Sequence, residues 1–498
     1  MAKRLSAFYV SFEAVPFAKV GGLADVAGAL PRALAEVDVD ATLVVPRFGH
    51  LAPESYGLTP SAVPSDWSVG ICWQPHPFRA WEGRLPNGLR VVMIGDDRFF
   101  GRYGIYNDES GRPFADELER YVFFSKAVVE FMKCRGIALD IVHVNDYHTA
   151  PIAAYLRALY PHEPIFRDAA VIYSIHNMAH QGAYAMGGLE TIGFDPAIHG
   201  RPYGPWEVHG SINLMKAGIH YADIVNTVSP SYAREIMTPA GGVGLDEHLR
   251  RFQDKVHGIL NGIDVSVWHP SVDRLLPERY DRHHLGGKAR AKAELFKRAR
   301  LSSERLHMPL IGMVGRLVAQ KGVDLALGAF DALLGTDVNL IALGSGTDEY
   351  ENGLKWFGGK YPDRCGVSIG FDNELAHLIT AASDIFLMPS RYEPCGLNQM
   401  YALAYGAAPV VRRTGGLADT VQEWNPWTGE GTGFLFDEPT VEGLSQALGR
   451  AIGTYWRKES WQKLIANGMS QDHSWRRSAG EYRRIYELAI ENRRRYLS

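Results

Sequence analysis

Four charged side chains and two glycine pairs are spaced as work on an anionic ligand would require. Glu393 follows the apolar run DIFLMPS, and Pro394 behind it restrains its backbone to extended geometry. Arg316 follows PLIGMVG and Lys321 stands a few residues on, so two cations come after one strand. Gly415-Gly416 follow APVVRRT and open a helix, and the same letters, GGLAD, recur at Gly21 to Asp25, behind Lys19 and the strand LSAFYVSFE. A glycine pair between strand and helix lets the backbone come close to a ligand, and the helix start offers N–H groups to an anion. Cations fixed where negative charge develops ease the departure of an anionic leaving group, and losing one good donor costs about 10²- to 10³-fold in rate.

The elements that hold these residues alternate strand and helix. From the N-terminus the strands read LSAFYVSFE, ATLVVP, LRVVMIG, DIVHVND, AAVIYSIHN, ADIVNTVSP and KVHGILNGI. Helical patterns lie between them, among them Ala115 to Cys134 and INLMKAGIHYA. Such alternation predicts parallel strands joined by crossover helices, an α/β fold. A polar, charge-dense stretch between Asp264 and His307 carries no strand signal, and the alternation restarts at Met308. A chain of 498 residues is too long for one core. The pattern predicts a first Rossmann-like domain over 1–263 and a second over 264–478, followed by a C-terminal helix over 479–498. The last turn, Arg493 to Arg495, is expected to be solvated.

Composition narrows the function. The 52 basic and 56 acidic residues leave a net charge of −4, which offers no global attraction to nucleic acid or to acidic membranes. No apolar run is long enough to span a bilayer, and Glu13 interrupts the N-terminal one. The four cysteines, Cys72, Cys134, Cys365 and Cys395, are too scattered for a zinc site or a disulfide framework, so a reducing cytoplasm is expected. Asp38 and Asp40 form a DxD pair, but it precedes its strand and reads as a solvated turn. Neither glycine loop fits the GxGxxG of a nicotinamide dehydrogenase.

Six motifs in order carry a family resemblance: Lys19-Val-Gly-Gly-Leu-Ala-Asp-Val, His176-Asn177, Asn261-Gly-Ile-Asp264, Gly315-Arg-Leu317 with Gln320-Lys-Gly322, Glu393-Pro-Cys-Gly-Leu397 and Thr414-Gly-Gly-Leu417. Together they resemble bacterial glycogen synthases and plant starch synthases over essentially the whole chain. The resemblance implies a GT-B glycosyltransferase fold, with two Rossmann-like domains facing across a cleft and the C-terminal helix 479–498 packing back on the first. It also implies transfer of glucose from ADP-glucose to the 4-OH of an α-1,4-glucan with retention of configuration, without cofactor or metal, so activity is expected to survive a chelator. Glu393, Arg316, Lys321 and His176 are the catalytic residues it implies. The donor is bound by Lys19, Gly21, Gly22, Asp25, Asn177, Asn261, Gln320, Phe371, Cys395, Gly396, Leu397, Thr414, Gly415 and Gly416, with Phe371 stacking on the base. Asp146 and Glu13 face the sugar or acceptor.

Some positions depart from relatives. Tyr401 stands where certain related retaining transferases carry a second glutamate, which argues against the double displacement of two-carboxylate glycosidases. Asn398 replaces a usual threonine and is expected to cap its helix instead. Cys395 is expected to offer its backbone N–H, and thiol reagents to inactivate by blocking the site. UDP-glucose is the alternative donor. A phosphorylase would need pyridoxal phosphate, and a non-catalytic glucan- or nucleotide-sugar-binding protein should have lost Glu393, Arg316 or Lys321.

Overall fold

The computed structural model describes residues 4–498 apart from 63, 65 and 66. The chain forms two compact units. The first comprises the residues up to Val228 together with Ala233–Ile259 and Trp475–Ser498, and the second comprises Ser229–Tyr232 and Leu260–Ser474. The main division thus falls at 259–260 instead of 263–264, and the C-terminal helix starts at Trp475 instead of 479.

Among the described residues, the large sheet of the first unit has the spatial order Val256–Gly258, Ile224–Thr227, Ala170–Ile175, Ile141–Asn145, Leu5–Val10, Val39–Pro46, Arg90–Gly95, Arg79–Arg84, Thr59–Pro60. The first seven run parallel. The last two are antiparallel, as are two small separate sheets, a correction to the purely parallel expectation. The expected helix INLMKAGIHYA begins only at Leu214, its first residues belonging to the strand Ser211–Asn213. Successive connections leave Leu5–Val10 in one direction, and from Ile141–Asn145 they run in the other. The space beyond the carboxyl ends of these two neighbours is therefore the switch point, where open α/β sheets bind ligands.

The second unit repeats the plan with six parallel strands, in the order Cys365–Ile369, Asn339–Gly344, Leu310–Val314, Ile385–Met388, Ala408–Arg412, Phe434–Phe436. Its switch point lies between Leu310–Val314 and Ile385–Met388. The charge-dense stretch contains a helix that its composition hid, Gly286–Arg298. Its Ala291, Leu295 and Phe296 are buried against the helix Asn373–Ala382. Two lysines go in with them. Lys292 pairs with Asp384 at 2.7 Å, and Lys288 donates to the carbonyls of Ala381, Ser383 and Tyr405, its amine pushed down to about 7 by burial. A buried charge survives only with such partners.

The helix Trp475–Leu497 packs on the helix Gly22–Leu34 and on the strand Ala170–Ile175. Tyr482 and Tyr486 are fully buried, and their hydroxyls engage Asn226 at 3.0 Å and His143 at 2.7 Å beneath the sheet. Arg493 is buried rather than solvated and donates to the Arg167 carbonyl at 2.8 Å. Of the DxD pair, Asp38 occupies a left-handed turn at φ 59° and Asp40 pairs with Arg90. No helix among the described residues is long and apolar enough to cross a membrane.

Candidate active site

At the switch point of the second unit, the loop after Leu310–Val314 carries Arg316 and Lys321, and the loop after Ile385–Met388 carries Glu393. Glu393 is buried, and its Oε2 accepts from Lys321 Nζ at 2.6 Å and from Ser390 Oγ at 3.0 Å. A buried carboxylate needs both partners to stay charged. Arg316 stays exposed, with a long 3.4 Å contact to Gln320, whose own amide reaches the Tyr392 carbonyl at 3.4 Å. Arg316, Lys321, Gly315, Ser390 and Asn398 line one cavity of about 200 Å³. Phe371 follows Gly370, which has φ 126°, and is 88 % exposed, so its ring is free of the core.

Three expectations for this unit change. Gly415 and Gly416 are required by packing against their own fold. A Cβ on Gly415 would lie 2.0 Å from the Glu393 carbonyl oxygen, and one on Gly416 2.1 Å from that of Cys395. The Gly416 N–H donates to the Glu393 carbonyl at 3.1 Å, so it does not face a ligand. The glycines seat the Glu393 loop. Asn398 does not cap its helix; its Nδ2 donates to the Val314 carbonyl at 2.8 Å and ties the two switch-point strands' loops together. Cys395 is buried, with its thiol pushed up to about 12 by desolvation, which leaves little thiolate for reagents. Asn261, Gly396, Leu397 and Thr414 surround this loop: Asn261 gives its backbone N–H to the Cys395 sulfur, Gly396 sits at φ 74°, and Thr414 is buried at the start of the helix Gly415–Thr420.

The first unit gathers its own group. Asp146 follows the strand Ile141–Asn145 and opens the short helix Asp146–Thr149 at φ 54°, a conformation that costs a non-glycine residue on the order of 1–3 kcal/mol and that clusters at functional sites. It is buried and accepts the backbone N–H of His176 at 2.7 Å and that of Asn177. Desolvation, with a further push from the nearby Glu13 carboxylate, raises its acid to about 7 against those two bonds. The His176 ring, pushed down to about 3 by burial, is neutral. Its Nε2 lies 2.9 Å from Asn145 Oδ1, which also accepts from Tyr9 while Asn145 Nδ2 donates to the Val10 carbonyl. An amide oxygen only accepts, so Nε2 carries the proton and Nδ1 is left as an acceptor for a hydroxyl.

The glycine loop of this unit is organised by Glu13. Its Oε2 accepts the Val20 and Gly21 N–H groups, the latter at 2.8 Å, and its Oε1 accepts from Tyr106 at 2.6 Å. The carboxylate expected at the sugar thus holds the loop, and the Gly21 N–H expected at a phosphate is turned onto it. Lys19 pairs with Asp25 at 2.7 Å on the surface. Exposed pairs of this kind are worth about 0–1 kcal/mol, so the ammonium exchanges partners readily. Nothing lies within 4 Å of a Cβ added to Gly21 or Gly22, so this pair, unlike the second, leaves room for another molecule. Sequence reasoning missed Tyr106, Asn145 and Ser390, which touch the site residues from positions with no motif of their own.

Two Rossmann-like units, each with its polar cluster at a switch point, define a glycosyltransferase of the GT-B class. Residues 7–251 match the starch synthase catalytic domain family and residues 299–469 the glycosyl transferases group 1 family. The glycogen synthase of Moorella thermoacetica is 41% identical over 99% of this chain and 99% of its own, and that of Thermotoga maritima 40% over 97% and 98%. The solved catalytic domain of starch synthase IV from Arabidopsis thaliana, bound to ADP and acarbose, superposes with a TM-score of 0.88 at 32% identity, covering 98% of this chain and 99% of that one. The chain belongs to the glycogen synthase family.

Proposed function

We propose that this chain elongates an α-1,4-glucan, transferring glucose from ADP-glucose to a non-reducing 4-OH with retention of configuration and without a metal. The observation that carries the reading is the buried Glu393 held by Lys321 beside Arg316 on the cavity of the second unit. Arg316 and Lys321 meet the negative charge that develops as the C1–O bond to the diphosphate breaks. Glu393 offers its carboxylate to the oxocarbenium-like carbon. Tyr401, where a second carboxylate would stand, is stacked on Trp268 at 3.9 Å. Same-face substitution therefore fits best: the acceptor O4 bonds to C1 and its proton goes to the departing phosphate oxygen. The exposed Phe371 suits a base, and the neutral His176, with Asp146, suits sugar hydroxyls. The donor assignment is supported by the relatives' name and by the ADP in the plant enzyme's structure. The cytoplasm is the proposed compartment, in keeping with four free thiols.

The test is nucleoside diphosphate release from ADP-glucose and from UDP-glucose, each with and without glycogen, in chelator. Glycogen-dependent release from ADP-glucose is expected. Release only from UDP-glucose would replace the donor, and silence from both would overturn the reading.

A further inference from the structure

The loop between Trp424 and Gly433 has no part in the chemistry above, yet it is built with care. Trp424 is buried in the core, whereas Trp427, on the same loop, is 94 % exposed. The backbone that carries this exposed indole is held in place. Asn425 Oδ1 accepts the N–H groups of Trp427 and Thr428 at 2.9 and 3.3 Å, and the Asn425 N–H donates to the Glu430 carbonyl at 2.8 Å. From the neighbouring helix Lys458–Met469, Lys463 donates to the Thr428 carbonyl at 3.2 Å and Asn467 to those of Gly429 and Gly431, each at 3.0 Å. Gly429 and Gly431 take φ 68° and 105° to make the turn. The loop holds one flat ring out into solvent.

The ring's surroundings say what it suits. Apart from Pro426, its neighbours in the turn are Asn425, Thr428 and Glu430, all exposed. A protein interface would call for a contiguous apolar patch. A pyranose has an apolar C–H face and a rim of hydroxyls, which match an indole face flanked by a carboxylate, a hydroxyl and an amide. The chain enters this loop from the helix Gly415–Thr420 and leaves it into Phe434–Phe436, which runs parallel to Ala408–Arg412. The loop therefore sits at the end of the sheet where strands begin, and Gly433 packs against Pro409 there. Arg316, Lys321 and Glu393 sit at the opposite end. We propose that the Trp427 loop is a second, non-catalytic glucan-binding platform, which docks one branch of the polymer by stacking a glucosyl ring on the indole. This rests on the glucan-elongating reading above.

The experiment compares wild type, Trp427→Ala and Glu430→Ala as full chains, by retardation in native gels with and without glycogen and by kinetics on glycogen and on saturating maltotriose. A stacked ring is worth about 0.5–1.5 kcal/mol, so Trp427→Ala should raise the KM for glycogen about two- to twelvefold. It should lose most of the retardation and keep the wild-type kcat on maltotriose. Glu430→Ala should fall between. Unchanged retardation and glycogen KM in Trp427→Ala would overturn the platform, and so would a loss of self-association with glycogen binding intact. A wild type that elongates glycogen while the variants match it separates failure of the platform from failure of the function. A wild type that neither binds nor elongates glycogen overturns both.

Discussion

Asp146→Asn gives the sharpest test of the site in the first unit. The buried acid is raised from an ordinary carboxylate value near 3.8 to about 7. Folding therefore raises its proton affinity, and the folded state is penalised wherever the unfolded chain has already lost the proton. That penalty is absent below pH 4, grows through the interval and is complete above pH 7. At about 1.4 kcal/mol per decade of affinity it is on the order of 2 kcal/mol at pH 5 and 4 kcal/mol at pH 8. The amide of Asp146→Asn is neutral at every pH and escapes it. Whatever constant the substitution loses from the bonds to His176 and Asn177, its stability relative to wild type should rise by roughly 2–3 kcal/mol from pH 5 to pH 8. Urea unfolding of both proteins at the two pH values measures this, and pH-independent differences would refute the buried, proton-holding Asp146. The carboxylate form is the one that accepts from two backbone N–H groups and from sugar hydroxyls. Wild-type activity should accordingly rise through pH 7, and the variant should lack that limb.

Further outcomes follow from the second unit and the loops. Lys321→Ala should lower activity about 10²- to 10³-fold and also lower the melting temperature, because it leaves the Glu393 carboxylate buried and unpaired. Arg316→Ala should lower activity alone, since the side chain is exposed; equal melting losses in both would refute the distinction. Gly416→Ala should destabilise the protein by displacing the Cys395 backbone. Gly21→Ala, at φ −129° with open space beside it, should melt like wild type and lose activity, as thermal scans and diphosphate release will tell. With an excess of a charged thiol reagent, Cys72 should label quickly in the folded protein and Cys395 only on unfolding, as peptide mapping over time would show. Fast labelling of Cys395 would contradict its burial.

Much of this was legible in the sequence because α/β folds write themselves as alternating apolar runs and helical periods. Glu393, Arg316 and Lys321 could be placed at strand ends from those runs alone. The helix Gly286–Arg298 was not legible, since its lysines and arginines hide a narrow buried stripe of Ala291, Leu295 and Phe296. Arg493 and Cys395 were misjudged for a related reason: burial depends on what packs over a residue, and local pattern does not report it.

The two GGLAD segments show where the division lies. Their letters determine, without any structure, that a helix begins at each, because glycine permits the turn and the following residues favour a helix. They do not determine what each glycine is for. Gly21 and Gly22 lie open with the loop pinned by Glu13, whereas Gly415 and Gly416 are filled in by the carbonyls of Glu393 and Cys395. The same is true of charge. Residue types put acids and bases in the sequence, but only the fold's burial and hydrogen bonds made Asp146 an acid near 7, His176 a neutral acceptor and Glu393 a paired anion. Desolvation and partner geometry are properties of neighbours distant in the chain, and tertiary structure alone brings those neighbours together.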